Sequence, residues 1–260
     1  MRVTIEPVEA PEEGLSMVDG SPANLDAGTR LYLDRHPLEG WYDGVDLKTS
    51  AADNPAADGL YMPARLLLTE RVVTVKGHQT RDPRSEGSSI GDMNLKTRLA
   101  ALCGRELVLR VTDSYGMRET HCWVSGKLTS GDEDEMFGIL RFAIILTCPD
   151  PIVYSAPNTY TAVGGHVTVE NNGTAASWPT LIASGSPKRV VALLNGRRID
   201  WRFDGNPLAS AAELDFATMI PTTGTVSNDD GFRIPPGQHT VAVMVEGTAN
   251  VALRVRNAWR

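Results

Sequence analysis

Alternation of apolar and polar residues dominates this chain, and the strand is the element it predicts most often. Residues 69–76 (TERVVTVK) alternate and end at Gly77, and residues 106–112 (ELVLRVT) set Leu107, Leu109 and Val111 against Val108, Arg110 and Thr112. A third run, 121–129, follows a turn around Tyr115 and Gly116. Residues 136–147 (MFGILRFAIILT) are nearly apolar throughout, the pattern of a central strand buried on both faces. Cys148-Pro149-Asp150-Pro151 closes it, because two prolines within three residues withdraw ladder donors and force an extended exit. One helix is predicted between the strands. Ser89 caps its start, Asp92 and Lys96 form an i,i+4 pair, and Met93, Leu95, Leu99, Leu102 and Cys103 give it an apolar side. Gly104 supplies a left-handed stop. A helix packed on one side of strongly twisted antiparallel strands is the expectation for this half.

Beyond residue 155 the same alternation is cut into shorter pieces. Val167 and Val169 alternate with His166, Thr168 and Glu170 before a turn at Asn171-Asn172-Gly173, and a strand follows at 180–183. Residues 190–194 and 197–203 flank Asn195-Gly196, the strongest short hairpin signal, since both central positions of a type I′ turn need positive φ. After Pro235-Pro236-Gly237, residues 240–246 place Val241, Val243 and Val245 on one face. Val251, Leu253 and Val255 alternate again across Gly247-Thr248-Ala249-Asn250, which reads as the turn of a terminal hairpin. Many short strands at regular spacing predict a β-sandwich. Two polar, proline-bearing stretches without periodicity, 49–58 and 78–88, read as loops that are either functional or disordered.

Composition changes this picture little, but it narrows the function. The 260 residues suffice for two domains with cores of their own, divided at 1–155 and 156–260. Three cysteines, Cys103, Cys122 and Cys148, read as reduced, buried thiols of a cytosolic product rather than a disulfide framework. The N-terminus has no basic region followed by an apolar run, and no stretch approaches the roughly 20 apolar residues of a membrane span, so a soluble chain is expected. Residues 1–150 carry 16 Lys and Arg against 24 Asp and Glu, whereas residues 151–260 carry 9 against 8. Bases interleaved with acids argue against tight nucleic-acid binding. The run Asp132-Glu133-Asp134-Glu135 lacks the glycine and ligand spacing of a calcium loop and reads as a solvated turn.

Catalytic chemistry is not evident. The chain has no G-x-S-x-G, no phosphate loop, no H-E-x-x-H and no C-x-x-C, and its histidines, His36, His78, His121, His166 and His239, are scattered singly. No catalytic, cofactor or metal residue is assigned. Asn172-Gly173-Thr174 has the form of a glycosylation sequon but reads as a turn in a cytosolic chain. Trp178, Trp201 and Trp259 offer two readings: an exposed platform for a pyranose ring beside polar residues such as Arg202 and Asp204, or packing in core and interface.

Several segments in fixed order are similar to a known family. They are Trp41-Tyr42-Asp43-Gly44-Val45-Asp46, Arg71-Val72-Val73-Thr74-Val75-Lys76-Gly77, the helix before Leu107, and Cys148-Pro149-Asp150-Pro151 with Tyr154-Ser155. Glu170-Asn171-Asn172-Gly173-Thr174 with Trp178-Pro179, and Ile234-Pro235-Pro236-Gly237-Gln238-His239-Thr240, follow. With these the chain resembles, over essentially its whole length, the distal tail proteins of long non-contractile-tailed bacteriophages, also called minor tail or phage tail family proteins. Residues 202–230 are longer and more polar than that pattern. The resemblance implies a mainly β fold: an N-terminal β-sandwich or split barrel with one helix, and a C-terminal galectin-like β-sandwich. It also implies a structural protein of the virion tail tip or baseplate, assembled in the host cytoplasm, six copies of which close a ring. The implied neighbours are the tail tube, the tail-tip proteins and receptor-binding or fibre proteins, with DNA passing through the lumen unbound. An acidic first domain suits such a lumen, because like charge discourages adhesion. The alternative is a glycan-binding adhesion module acting through the second domain, although a galectin-like fold by itself does not carry sugar binding.

Overall fold

The computed structural model describes residues 1–20, 31–48, 52–63, 65–80, 89–129 and 139–260. Internal contacts gather them into two compact units, Met1–Val153 and Tyr154–Trp259.

The first unit is a barrel. Its strands are β1 (Arg2–Pro7), β2 (Leu15–Val18), β3 (Leu31–Glu39), the short pair β4 (Leu47–Lys48) and β5 (Leu67–Leu68), β6 (Arg71–Thr80), β7 (Leu107–Asp113), β8 (Gly116–Thr129) and β9 (Ile139–Cys148), with helix α1 (Ser89–Ala101) between β6 and β7. Neighbours run β8-β7-β1-β2-β3-β6-β9, and β9 returns to pair with β8, closing the circle. Among the described residues one parallel pair, Val18 with Tyr32, joins β2 to β3. Val3, Ile5, Met17, Val73, Val75, Leu107, Leu109, Ile144 and Leu146 fill the interior. The expectation that 136–147 is buried on both faces is corrected: in β9 Leu140, Phe142, Ile144, Leu146 and Cys148 are buried, but Arg141 is exposed and Ile145 half-buried. A barrel wall has one inside, and aliphatic residues on its outer surface make the run look uniformly apolar. Residues 136–138 lie outside the described residues. The strand expected to end at Gly77 continues to Thr80, with Gly77 opposite Phe142.

Leu95 and Leu99 form the buried side of α1, Leu102 is buried in the turn behind it, and Gly104 closes that turn at φ +78°. The expected cap at Ser89, the Asp92–Lys96 pair and Met93 fall outside the described side chains. Cys103 is exposed, not buried, because the helix ends at Ala101 and Cys103 sits in the turn behind it. Arg98 donates to the Gly14 carbonyl at 2.6 Å and Arg105 pairs with Glu13, which fasten the helix end to the segment between β1 and β2.

The second unit is a β-sandwich of β10 (Val153–Thr161), β11 (His166–Asn171), β12 (Thr180–Leu194), β13 (Arg197–Arg202), β14 (Ala212–Asp215), β15 (Thr225–Asp229) and β16 (Gly237–Trp259). Two long strands, β12 and β16, pair antiparallel along almost the whole of β12, from Thr180 with Arg254 to Leu193 with Ala242, and belong to both layers. In one layer β13 and β15 extend from β12 while β11 flanks β16; in the other β14 flanks β12 and β10 flanks β16. Val167, Val169, Leu181, Val190, Trp201, Leu214, Phe232, Val241 and Leu253 lie in the core between them.

Two expectations change here. The strands 180–183 and 190–194 are one strand, and the expected terminal hairpin is a single strand with its predicted turn inside it. Gly247 has φ +96° and Gly185, nearly opposite, has φ +98°, and a bulge falls between Pro187 and Arg189. Together they bend the β12–β16 ribbon from one layer into the other, a corner that reads as a turn in sequence. The hairpin at Asn195-Gly196 forms as expected, with φ +51° and +82° and Leu194 paired to Arg197. The polar segment 202–230 supplies β14 and β15 to the two layers.

Candidate functional site

Each unit is organised around one buried polar residue that gathers distant segments. In the first it is Arg71, the opening residue of β6, on the same strand parity as Val73 and Val75 and only 2% exposed. Its Nη1 donates to the carbonyls of Gly40, Trp41 and Asp43 at 2.7, 3.0 and 3.0 Å, and Nε donates to the Pro151 carbonyl at 2.9 Å. One guanidinium thus joins three of the segments singled out in sequence: the Trp41 turn, the start of β6 and the proline exit after β9. Burial lowers its pKa, opposed by Cys148 and Asp43. Cys148 faces Arg71 across the β6–β9 ladder, and its contact with Cys122, together with burial, pushes the Cys122 thiol up.

Next to this lock the Tyr42 hydroxyl donates to Asp113 Oδ2 at 2.6 Å, and Arg118 Nη2 donates to the same oxygen at 2.8 Å. The Arg118 guanidinium lies 5.5 Å from the Tyr42 ring centre and 5.8 Å from that of Tyr115. Burial and the Asp113 carboxylate push Tyr42 up to about 12. Burial opposes ionisation of Asp113, yet the bonds from Tyr42, the Tyr115 N–H and Arg118 hold it below the usual carboxylate range. Tyr115 itself is 80% exposed. Residues 44–48, 52–63 and 65–69 add a ribbon built on β4 and β5, with Thr69 N–H to Asp46 carbonyl at 2.9 Å and Tyr61 N–H to Ala52 carbonyl at 2.9 Å. Leu47, Leu60, Tyr61, Met62, Leu66 and Leu67 of this ribbon are all exposed. Exposed apolar side chains gathered on one ribbon are a feature that interaction surfaces share.

In the second unit the gathering residue is Asn171, wholly buried and on the parity of Val167 and Val169. Its Nδ2 donates to the carbonyls of Ala175 and Ile234 at 2.8 and 3.1 Å, and its Oδ1 accepts from Gly173 and Ala258 at 3.1 and 3.2 Å. The Asn171 turn, the approach to Trp178 and the segment from Ile234 converge on this amide. Asn172-Gly173-Thr174 is a turn, as expected, pinned to Ala258 through the Thr174 N–H.

The aromatic candidates separate. Trp201 is wholly buried and its indole N–H donates to the Thr223 carbonyl at 2.9 Å, so it is a core residue and not a platform for a sugar. Trp178 is half-buried, with the Arg233 guanidinium 4.5 Å from its ring centre. Asp204 is held below its usual range by Asn206 and serves its own turn. The histidines do not converge: His78 meets Asp34 at 2.7 Å, His121 meets Glu106 at 2.8 Å, His166 and His239 bond the Gly164 and Pro236 carbonyls, and His36 is exposed. Among the described residues no three His, Cys, Asp or Glu side chains are grouped to hold a metal, and no helix is long and apolar enough to cross a membrane. Asp132 to Glu135 and residues 49–51 and 81–88 of the two loops lie outside the described residues.

Sequence reasoning missed Arg71, Asn171 and Arg118 as organising residues. For the first two the signal was present, since each is polar at a position whose strand parity points inward.

No protein-family model and no curated protein sequence matches the chain. Among solved structures it matches the Dit protein of phage SPP1, described as a paradigm of the hub adsorption apparatus in phages infecting Gram-positive bacteria, with TM-score 0.65 and 11% identity over 99% of both chains. Chains from the baseplate of phage P2 in its activated conformation, solved with Ca and with Sr, match with TM-scores 0.54 and 0.52 at 8% and 7% identity. These cover 99% and 98% of this chain and 98% of each of theirs. At such identities the likeness is one of fold. The chain has the mainly β fold of a phage distal tail protein, and it has it from end to end.

Proposed function

We propose that this chain is a structural subunit of a phage tail tip, a distal-tail hub that connects the tail tube to the baseplate proteins. The observation that carries this reading is the match in fold to SPP1 Dit over 99% of both chains, which takes in both units in sequence order. In this reading the barrel is the ring-forming part, six copies close the ring, and the sandwich offers attachment to tip or receptor-binding proteins. The particle is assembled in the host cytoplasm, and the chain acts through interfaces, with no catalytic step.

Physical features of the first unit support an assembly role. A closed ring of one chain needs two different, complementary surfaces on each subunit. The exposed apolar ribbon at 44–69 is one such surface, and the Tyr42, Tyr115 and Arg118 cluster, pre-ordered by Asp113, has the composition of an interface anchor. DNA passes such a ring without specific binding, in keeping with the acid excess of residues 1–150.

Native mass tests the proposal. Light scattering of the purified chain, with electron micrographs of the same peak, is expected to give rings of ~169 kDa, six times the 28.1 kDa chain. A monomer that stays monomeric when mixed with the tail-tube subunit would overturn it.

A further inference from the structure

The second unit contains a cavity of about 390 Å³ lined by Trp178, Leu194, Asn195, Arg197, Phe232 and Arg233, with Ala176 and Pro235 at its margin. That volume is within the range of small-ligand sites, about 300–1,000 Å³. Three elements build it: the tip of the β12–β13 hairpin, the segment entering β12, and the segment that follows β15. Their positions are fixed. Ser177 and Ile234 exchange two backbone hydrogen bonds of 2.9 and 2.7 Å, and Phe232 is buried edge-on against Phe216 at 5.0 Å.

The lining combines two chemistries. Trp178, Phe232, Leu194 and Pro235 are apolar, while Arg197, Arg233 and Asn195 bring guanidinium and amide groups to the same opening, and no carboxylate lines it. Arg197 is partly committed: it donates to the Gly231 carbonyl at 2.7 Å and stands 3.9 Å from Asp230. The Arg233 guanidinium lies over Trp178, 4.5 Å from its ring centre. A guanidinium held over an indole keeps N–H donors of the kind that receive a carboxylate or phosphate in two parallel bonds. Aromatic and aliphatic walls suit the C–H faces of a sugar ring, and the Asn195 amide both donates to and accepts from hydroxyl groups.

We propose that this cavity binds an acidic saccharide, a pyranose bearing a carboxylate or phosphate, with Arg233 and Arg197 on the anionic group and the half-buried Trp178 against the ring. The proposal goes beyond the hub reading and does not depend on it: native mass decides the ring, and ligand binding decides the cavity.

Full-length protein labelled with 5-fluorotryptophan tests it, because each of the five tryptophans then gives its own fluorine resonance. The Trp178 line is assigned with Trp178→Phe. Titration with glucuronate or glucose 6-phosphate is expected to shift that line saturably, with a dissociation constant on the order of 1 mM, and to leave the buried Trp201 line in place. Whichever of the two acids binds tells which anionic group the cavity takes. Glucose should bind at least tenfold more weakly, and acetate and inorganic phosphate should not saturate. Arg233→Gln and, separately, Arg197→Gln should each weaken binding at least tenfold while the other tryptophan lines report an intact fold. The inference is overturned if neither acidic sugar shifts Trp178, if glucose or a simple anion binds as well as they do, or if both arginine variants bind normally.

Discussion

Arg71 and Asn171 each satisfy backbone groups from several segments at once. Charged hydrogen bonds of the Arg71 kind contribute about 1.5–3 kcal/mol apiece, and removal leaves buried carbonyls without donors. Arg71→Met, which keeps the volume and discards the donors, is expected to destabilise the first unit by about 3 kcal/mol or more. The check is urea unfolding together with hydrogen exchange at residues 40–43, which should lose protection first. Unchanged exchange there would show that the guanidinium is dispensable. Asp200 makes a different prediction. It is 4% exposed on the outer face of β13, bonded by Arg189 at 2.9 and 2.6 Å and by Arg198 at 2.8 Å, with Arg202 at 3.6 Å. The Arg189 hydrogen bonds depress its pKa strongly, against burial. A depressed carboxylate stabilises the fold above its unfolded-state pKa near 3.9, and that contribution drains away as pH falls toward the folded-state value. Asp200→Asn should therefore lower Tm at pH 6, where it leaves three guanidiniums facing one another, and the gap to the parent protein should narrow below about pH 4. A gap of constant size from pH 6 to pH 2, followed by calorimetry, would mean that the carboxylate charge contributes nothing.

At the scale of elements, the feature with the sharpest consequence is the corner in the β12–β16 ribbon. A Cβ on Gly185 would lie 2.6 Å from the Thr248 carbonyl oxygen, and one on Gly247 would lie 2.5 Å from that of Ser186, in backbone that side chains rarely adopt. Either Gly→Ala change is expected to cost the second unit about 1–3 kcal/mol, read as a fall in its Tm, whereas Ala at the open Gly196 should be limited to the smaller cost of the hairpin turn. Equal effects at all three sites would show that the corner is not a special constraint. The same corner explains where sequence reading stopped. Local periodicity recovers what is local: the Leu107, Leu109, Val111 face, the helix side of Leu95 and Leu99, and the Asn195-Gly196 turn. It cannot distinguish a strand that bends into a second layer from two strands with a turn between them, because both break alternation at a glycine. Nor can it tell the outside of a barrel from a second buried face, as the half-buried Ile145 in β9 illustrates. Parity did hold information that went unused. Trp201 shares its side of β13 with Ile199, which places it in the core and removes it from any sugar-binding surface. The pairing of Trp178 with Arg233 joins residues far apart in the chain, and only the folded sandwich brings them together.

The whole molecule turns on whether its unpartnered surfaces close a ring. Two-stranded ribbons such as β4–β5 are marginal by themselves, and one whose apolar side chains point into water is a poor element for a monomer to keep. In the proposed ring the same residues would become buried contacts, and a charge placed among them would be costly at the interface while nearly neutral in the isolated chain. Met62 is 78% exposed and Leu67 57% exposed, so Met62→Asp and Leu67→Asp should each leave the monomer Tm within about 1 °C of the parent, as surface changes do. Each should nonetheless shift the light-scattering mass from the ring toward 28.1 kDa, and the double variant should do so more completely. Tyr115→Ala, at the tip of the β7–β8 hairpin, tests the second surface in the same way. Heterologous closure makes the two sets complementary in a stricter sense: if ribbon and tyrosine cluster meet across the interface, a subunit altered in one and a subunit altered in the other still offer one intact pair of surfaces between them. Mixing the two variants should then yield dimers but no rings. Rings that survive all of these substitutions would place the interface elsewhere on the barrel.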